Sequence, residues 1–386
     1  MKFILIILCI FFANSIFAND ENNNEVEVIN LHDSKSLDQM VLDNLKVEEK
    51  IEVEVSSETQ VIENNEVEEK QIEIKKDNFI YKSETKDLKS YFDKLQKINS
   101  KTLQKEIIKV LENVQFNLEI NQDREIFFLL LNYLNSIGHI NKAYEIIQKY
   151  ELPNDQNFDF YTGIKINYLL STFQLNEACN FKDDLDSNVK LEYFFLEKLD
   201  IFCLILQDNQ SEASLLNSIL LESENNPDNY YQNLFSLLAN TSDQLVVDKD
   251  INSKEINFNL IFLYSAMTRI AELPFSDEFY NLDKNNLSIP IILNQASPID
   301  LRIKAANQSF LDNLITVDSL AALYMSADFN SEQLNNSMNT LDSFSNNIEL
   351  SMAFLYQLVN IQIFPNDRLN ILIQFWEFAK KNNLEE

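Results

Sequence analysis

Three short polar corners, evenly spaced between Asp123 and Ser223, decide the fold of this chain. They read Gly138-His139-Ile140-Asn141-Lys142-Ala143, Phe173-Gln174-Leu175-Asn176-Glu177-Ala178 and Asp208-Asn209-Gln210-Ser211-Glu212-Ala213. Each corner follows an apolar helical stretch and opens a second helix with an alanine one turn in. The alanines recur every 35 residues, at positions 143, 178 and 213. A fixed period of this length is typical of stacked helical hairpins.

The corners predict three helix–corner–helix units. A small alanine at the same place in each unit lets the two helices of a hairpin approach closely. The predicted helix pairs are Asp123–Ile137 with Asn141–Tyr150, Phe158–Thr172 with Asn176–Leu185, and Val189–Leu206 with Ser211–Ser223.

The spacing resembles that of tetratricopeptide-type solenoids, whose repeat is about 34 residues long. Ala143, Ala178 and Ala213 match the small residue of that family's second helix, and Gly138 matches its corner glycine. The resemblance covers about a quarter of the chain and extends to secreted bacterial helical-repeat proteins without an assigned activity. It implies a scaffold with a concave binding surface.

The whole ordered chain is predicted to be all-α. The sequence contains only two glycines, Gly138 and Gly163. An all-β or dinucleotide-binding fold would therefore lack its turn residues. Residues 87–225 are predicted to form the tetratricopeptide-like repeats, and residues 226–386 to continue the array less regularly. The later helices are predicted at Tyr230–Ala239, Phe258–Leu273, Ile299–Leu311, Val317–Ala327, Glu332–Phe344, Glu349–Ile363 and Asp367–Lys381.

Two further expectations concern this C-terminal region. Pro274, Pro290 and Pro298 are predicted to bracket an irregular or short-helical segment, and residues 241–257 a polar loop. In the last helix the apolar residues follow helical spacing, which predicts a stripe facing inward. The residues of this stripe are Leu369, Leu372, Ile373 and Trp376.

Residues 1–18 have the pattern of a secretory signal peptide. Lys2 precedes an apolar run from Phe3 to Ala13, and Ala18 offers a small-residue cleavage site, with Ala13 and Ser15 as an alternative site. The run is too short to anchor in a bilayer, and no later stretch is long and apolar enough to span one. The mature chain is therefore expected to be exported, which in a bacterium means the periplasm.

Residues 19–86 are predicted to be a disordered acidic linker, because they lack the large apolar side chains that offset the entropy of ordering. Two patches interrupt this composition. Ser36–Leu45 places Leu37, Met40, Val41 and Leu45 on one helical face, and Ile51–Val55 and Glu66–Glu68 alternate as a strand does. Both patches fit docking motifs for a partner, and both also fit accidental patterning in a solvated linker.

The net charge of −30 and the pI near 4.4 restrict the classes of partner that the chain is expected to bind. Nucleic-acid binding needs a basic stripe, and an acidic membrane surface would repel the chain, so neither is expected. The charge is compatible with a protein or peptide partner. It is equally compatible with an acidic surface whose only role is to keep an exported protein soluble.

The sequence lacks the residues of most catalytic sites. His32 and His139 are its only histidines, and both are expected to face solvent, which argues against a Ser-His-Asp, Cys-His or zinc site. No phosphate-binding glycine loop is present, and no cofactor or metal is predicted. The predicted function is a non-catalytic periplasmic scaffold or adaptor that binds a protein or peptide.

The alternative is a cell-wall enzyme, or an accessory module of one. The pair Glu222-Ser223 is similar to the Glu-Ser pair that opens the active site of soluble lytic transglycosylases. The glycine-containing motif that follows in that family is missing here, as is a C-terminal lysozyme-like domain.

Cys179 and Cys203 are the two cysteines left after signal cleavage. An oxidising compartment and an even count favour a structural disulfide. With a turn near residues 186–187, however, the two cysteines would differ in level by about 10 Å at 1.5 Å per residue. Either the turn lies later, or the two are separate buried cysteines.

Overall fold

The fold is seen in a computed structural model that describes residues 85–95, 100–152, 155–186, 189–191, 194–224, 228–239, 258–344 and 346–382. The predicted signal peptide, nearly all of the linker and the predicted loop at residues 241–257 lie outside these ranges. Every regular element in these ranges is a helix, and they contain no strand. The predicted all-α class is therefore confirmed.

The described helices are numbered in chain order. They are α1 (Thr85–Leu95), α2 (Lys101–Glu112), α3 (Asn121–Ser136), α4 (Ile140–Gln148), α5 (Phe158–Ser171), α6 (Leu175–Asp183), α7 (Phe195–Leu206), α8 (Gln210–Ser223), α9 (Asn229–Leu238), α10 (Phe258–Ile270), α11 (Asp277–Tyr280), α12 (Lys284–Leu293), α13 (Ile299–Leu311), α14 (Val317–Met325), α15 (Ser331–Asn335), α16 (Ser337–Ser343), α17 (Ile348–Ile361) and α18 (Pro365–Lys381).

The described residues form two compact units. The larger, called the hairpin unit, contains the residues from Thr85 to Pro298 together with Ala305–Thr316. The smaller, called the C-terminal unit, contains Ile299–Lys304 and the residues from Val317 onward. Helices beyond residue 226 pack into the hairpin unit, and the division into repeats up to residue 225 and a less regular continuation stays a prediction.

A row of helices forms the first part of the hairpin unit. From α3 to α8, each helix packs against the next one in the chain, and α1 packs against α3. The predicted hairpins thus correspond to α3–α4, α5–α6 and α7–α8. Their second helices begin at residues 140, 175 and 210, so the 35-residue spacing of the corners is also the spacing of these helix starts.

Helix α5 is the most enclosed member of this row. Ten of its fourteen residues are buried, because α10 and α12 pack across it in addition to its row neighbours α4 and α6. At this crossing the Nδ2 of Asn167 donates to the Oδ1 of Asn259 at 2.6 Å. Gly163 faces the same Asn259 amide, whose Oδ1 lies 3.0 Å from the place of a Cβ. The helices that follow the hairpins therefore return across α5, and α10 also packs against α7.

The C-terminal unit is built around α17. Helices α14, α16 and α18 pack against it. Phe329, Phe344 and Phe354 meet at ring-centroid distances of 5.1–5.8 Å and form its aromatic core. The Nε2 of Gln357 on α17 donates to the carbonyl oxygens of Tyr324 at 2.9 Å and Ala327 at 2.7 Å, which ties the end of α14 to α17.

The boundaries of three helices differ from the predicted ones. Helix α7 begins at Phe195 and not at Val189, because Phe194 takes a left-handed conformation just before it. The segment between Pro274 and Pro298 contains the short helices α11 and α12, as one of the two predicted alternatives had it, but Pro290 lies inside α12 and does not bound it. The predicted helix Glu332–Phe344 is divided into α15 and α16 at Asn336, whose ψ of 52° is not helical.

The expected inward stripe of the last helix is wrong. Helix α18 forms where predicted, but none of its residues is buried. Leu369, Ile373 and Trp376 are exposed, and Leu372 is half-buried. Helical spacing fixes which residues share a face, but it does not fix whether that face meets the core.

Candidate functional site

The three corners share one backbone conformation. Gly138, Phe173 and Asp208 all have positive φ, at 85°, 62° and 58°. In each case the next amide reaches back to the carbonyl five residues earlier, at 2.8–2.9 Å, which is the hydrogen bond of a Schellman cap. These bonds run from His139 to Leu134, from Gln174 to Leu169 and from Asn209 to Leu204. The corners are therefore equivalent in structure, although only the first one has glycine.

Helix α12 covers the first corner. The carbonyl oxygen of Asn285 lies 2.7 Å from the place that a Cβ on Gly138 would take. The Nδ2 atoms of Asn285 and Asn286 donate to the last carbonyls of α3, those of Ser136 at 3.2 Å and Asn135 at 3.1 Å. Glycine is needed here for its positive φ and for this close approach.

Arg269 covers the second corner from the last turn of α10. Its guanidinium carbon lies 4.0 Å from the centroid of the Phe173 ring, and its Nη1 donates to the carbonyl of Ser171 at 3.3 Å. The aromatic residue at the left-handed position thus binds a cation that also caps α5. The alanines that follow the corners, Ala143, Ala178 and Ala213, are completely buried.

The predicted cysteine pair is confirmed as a pair at disulfide distance. The sulfurs of Cys179 on α6 and Cys203 on α7 are 2.00 Å apart, and their Cα atoms 5.7 Å apart. The turn lies later than expected, because α6 ends at Asp183 and α7 starts only at Phe195. This longer connection removes the difference in level that the sequence implied. Both side chains are buried, as suits a structural bridge.

A buried ionic cluster was missed by the sequence analysis. Lys198 on α7 is only 2% exposed, and its Nζ lies 3.1 Å from Glu224 Oε1 and 2.8 Å from Asp228 Oδ2. Tyr264 on α10 donates its hydroxyl to the same Asp228 oxygen. Asp228 also caps α9 by accepting from the amide of Tyr231 at 3.1 Å. The cluster joins α7, the end of α8, α9 and α10.

The two tyrosines of this cluster are held neutral. Burial raises the pKa of Tyr231 and of Tyr264 well above the usual value, and the carboxylates of Glu224 and Asp228 raise each pKa further. The Lys198 ammonium lies 5.2 Å from the centroid of the Tyr231 ring. These groups bind one another, so the cluster acts as a structural connection between helices. The sequence feature that could have indicated this cluster is Lys198, the one basic residue of the apolar helix α7.

The candidate catalytic residues are not brought together. His139 is buried and precedes α4, so the expectation that it faces solvent is wrong; His32 lies outside the described ranges. Glu222 and Ser223 are exposed at the end of α8, where Ser223 Oγ donates to the carbonyl of Ile219 at 2.9 Å. Within the described ranges, no three or more His, Cys, Asp or Glu side chains are grouped to hold a metal ion.

An exposed apolar surface lies on α18 and the turn that leads into it. Leu369, Ile373 and Trp376 follow each other at i, i+4 and i+7, which puts them on one side of the helix. They are 56%, 45% and 44% exposed, and Ile363 and Phe364 before the helix are more exposed still. These five residues are called the C-terminal face. A helix that packs on one side only and keeps a second apolar side in solvent typically marks a binding surface.

Comparisons with known proteins assign no family. No family model matches this chain, and neither a characterised protein nor a solved structure shows significant similarity to it. Among the helices that the structure describes, none is long and apolar enough to cross a membrane.

Proposed function

We propose that this protein is a non-catalytic periplasmic adaptor that binds a partner protein through the C-terminal face. The observation that carries the proposal is the exposure of Leu369, Ile373 and Trp376 along one side of α18. Exposed large side chains at this spacing are the anchors by which two amphipathic helices pack. We also infer that the hairpin row is a tetratricopeptide-like solenoid; the three equivalent corners support this inference.

The charges around the face define the chemistry of the partner. Arg368 follows Asp367 in the first turn of α18, so these two charges offset each other, whereas Lys380 and Lys381 make the last turn basic despite the nearby Glu377. An amphipathic helix with acidic residues beside Lys380 and Lys381 would therefore fit best. We propose such an amphipathic helix as the bound segment. The overall charge of −30 supports a protein partner and not a nucleic acid.

The periplasmic location is part of the proposal. It is supported by the signal-peptide pattern of residues 1–18 and by the buried cysteine pair, since structural disulfides persist in oxidising compartments.

The proposal is tested by photo-crosslinking the full-length protein in its own cells. A photoreactive residue replaces the exposed Asn370 beside the face, and the captured protein is then purified and its affinity measured. Leu369→Asp with Ile373→Asp is expected to weaken binding more than tenfold, because each buried apolar side chain contributes about 1.5–3 kcal/mol. The control is Leu103→Asp with Val110→Asp, an equally exposed apolar pair on α2.

A crosslink that maps to an amphipathic helical segment, and is lost only in the α18 variant, supports the proposal. Equal binding by both variants overturns it. Release of muropeptides from purified peptidoglycan by the wild type, abolished by Glu222→Gln, would replace it with the cell-wall enzyme.

A further inference from the structure

Helix α8, the last helix of the hairpin row, keeps an apolar pair in solvent. Its buried residues, Ala213, Asn217 and Leu220, lie on the side of the helix that meets α7 and α9. On the opposite side, Leu215 is 61% exposed and Ile219 is 51% exposed. The two residues are one helical turn apart, so together they form one exposed apolar area.

The other two hairpins carry polar residues at the same positions. The three corners have one backbone conformation, so positions that differ by 35 residues are structurally equivalent in α4, α6 and α8. The residues that take the places of Leu215 and Ile219 are Asn180 and Asp184 in the second hairpin, and Glu145 and Lys149 in the first. A hairpin therefore does not need apolar residues at these positions, and Leu215 and Ile219 indicate a contact outside the hairpin row.

Two carboxylates flank the apolar pair on the same side of α8. Glu212 precedes Leu215 by three residues, Glu222 follows Ile219 by three, and both are exposed. The Nδ2 of Asn209 donates to Glu212 Oε2 at 2.5 Å. None of the described lysines and arginines forms an ion pair with Glu212 or Glu222, and α8 itself contains no basic residue.

Glu222 also has an unfavourable place in its own helix. It lies in the last turn of α8, where the negative end of the helix dipole favours a basic side chain. Helix α18 of the same chain has Lys380 and Lys381 at this place. A charge that disfavours its own helix, next to an exposed apolar pair, is the kind of local conflict that occurs at functional sites.

The chain around the apolar pair is acidic as well. Lys198 is the only basic residue between positions 194 and 239, and it is buried against Glu224 and Asp228. The acidic residues of the same stretch are Glu197, Asp200, Asp208, Glu212, Glu222, Glu224 and Asp228.

The helices packed around α7 and α8 do not supply a free cation. Helix α9 contains no charged residue. Lys182, the only basic residue of α6, pairs with Asp183 and Asp200. Arg269, the only one of α10, lies against the ring of Phe173 at the second corner. This part of the hairpin unit therefore attracts a basic segment and repels an acidic one.

We propose that the exposed side of α8 binds a basic amphipathic helix of a second partner protein. The apolar residues of that helix cover Leu215 and Ile219, and basic residues on either side of them pair with Glu212 and Glu222. The proposal goes beyond the adaptor function at the C-terminal face, because it concerns a different helix and a partner segment of opposite charge.

The test uses a defined peptide and the full-length protein. The probe is a fluorescein-labelled synthetic helix of about 18 residues, with leucines at i, i+3, i+4 and i+7 and lysines beside this stripe. Fluorescence anisotropy measures its dissociation constant. The wild type should bind this peptide, and binding should weaken as salt is added, because salt screens exposed charges.

Two variants separate the apolar and the ionic contribution. Leu215→Asn with Ile219→Gln should weaken binding more than tenfold, because the variant loses the apolar area that the peptide covers. Glu212→Gln with Glu222→Gln should weaken it about threefold to tenfold, as expected for two exposed ion pairs. All four side chains are exposed, so both variants should keep the melting temperature of the wild type.

The matched controls make the same changes elsewhere in the hairpin unit. Leu103→Asn with Val110→Gln removes an exposed apolar pair from α2. Asp87→Asn with Asp93→Asn removes two exposed carboxylates from α1. Both controls should bind the peptide as the wild type does.

The inference is overturned if the wild type does not bind the peptide, or if the α8 variants bind it equally well. Equal weakening in the control variants would also overturn it, since the peptide would then respond only to the net charge of −30. Loss of binding in Leu369→Asp with Ile373→Asp would place the peptide on the C-terminal face and overturn it too; retention there separates the two surfaces. An oligomer of the wild type that Leu215→Asn with Ile219→Gln dissociates would identify a second copy as the occupant, against the inference.

Discussion

The backbone of Asn285 closes the space beside Gly138, with its carbonyl oxygen 2.7 Å from the place of a Cβ. Gly138→Ala is therefore expected to lower the free energy of unfolding by about 1–3 kcal/mol, since it adds strain at a positive φ to a direct clash. Chemical denaturation measures the loss.

The matched control is the third corner. Asp208 already takes a φ of 58° and is exposed, so Asp208→Gly should stabilise the protein by up to about 1 kcal/mol. Equal and small effects of the two substitutions would contradict the close approach of α12.

Ala178→Leu should destabilise the hairpin unit by about 1–3 kcal/mol, because Ala178 is completely buried and extra methylenes in a filled space cause strain. Thermal unfolding of the purified variant measures the effect. An unchanged melting temperature would show that the corner between α5 and α6 has room that the packing does not indicate.

The cysteine pair should contribute about 3 kcal/mol, as the chain-entropy model gives for closing a loop of this size; Cys179 and Cys203 are separated by 24 residues. The double variant Cys179→Ala, Cys203→Ala is compared with the wild type in the presence and absence of reductant. Reductant should lower the stability of the wild type and leave the double variant unchanged. Two free thiols in unreduced, denatured protein would contradict the pairing.

Lys198→Met should destabilise the protein by about 3–5 kcal/mol, since it leaves the buried carboxylate of Glu224 and the half-buried carboxylate of Asp228 without their cation. Adding Glu224→Gln removes one of these uncompensated charges. The two substitutions together should therefore cost less than the sum of their separate effects, as a double-mutant cycle in urea will show. Strict additivity would mean that the lysine and the glutamate do not interact.

Alkaline pH should destabilise the hairpin unit. The pKa values of Tyr231 and Tyr264 are raised in the folded state, mainly by burial, whereas unfolded tyrosines titrate near pH 10. Their stabilising effect is complete below about pH 10 and is lost as the pH rises above it. Urea unfolding at increasing pH measures this slope, and Tyr264→Phe should make it shallower. A stability that stays constant above pH 10 would contradict the burial of these hydroxyls.

Local sequence patterns predicted the parts of the fold that are local. The regularly spaced alanines and the polar corners located α3 to α8, and the signal-peptide pattern with the two cysteines beyond it predicted the pair Cys179–Cys203. The corner conformation of Phe173 and Asp208 escaped prediction, because L-residues seldom adopt positive φ and neither residue is glycine.

Long-range packing was not predictable in the same way. The return of α10 across α5 depends on residues about 100 positions apart, and no periodicity encodes such a pair. For the candidate site, the spacing of Leu369, Ile373 and Trp376 was read correctly as one side of a helix. The prediction that this side faces inward was wrong, because an apolar stripe that packs inside a domain and one that binds a partner have the same sequence pattern.

The crossing of α5 by α10 also orders the events of folding. Contacts within the hairpins are local and form early, whereas contacts between residues 158–171 and 258–270 have to close a long loop first. Synthesis proceeds from the N-terminus, so α5 is present before the helix that covers it. During that interval the apolar side of α5 is open to aggregation and to chaperones. Substitutions that slow the arrival of α10 should therefore reduce the yield of folded protein more than they reduce its final stability.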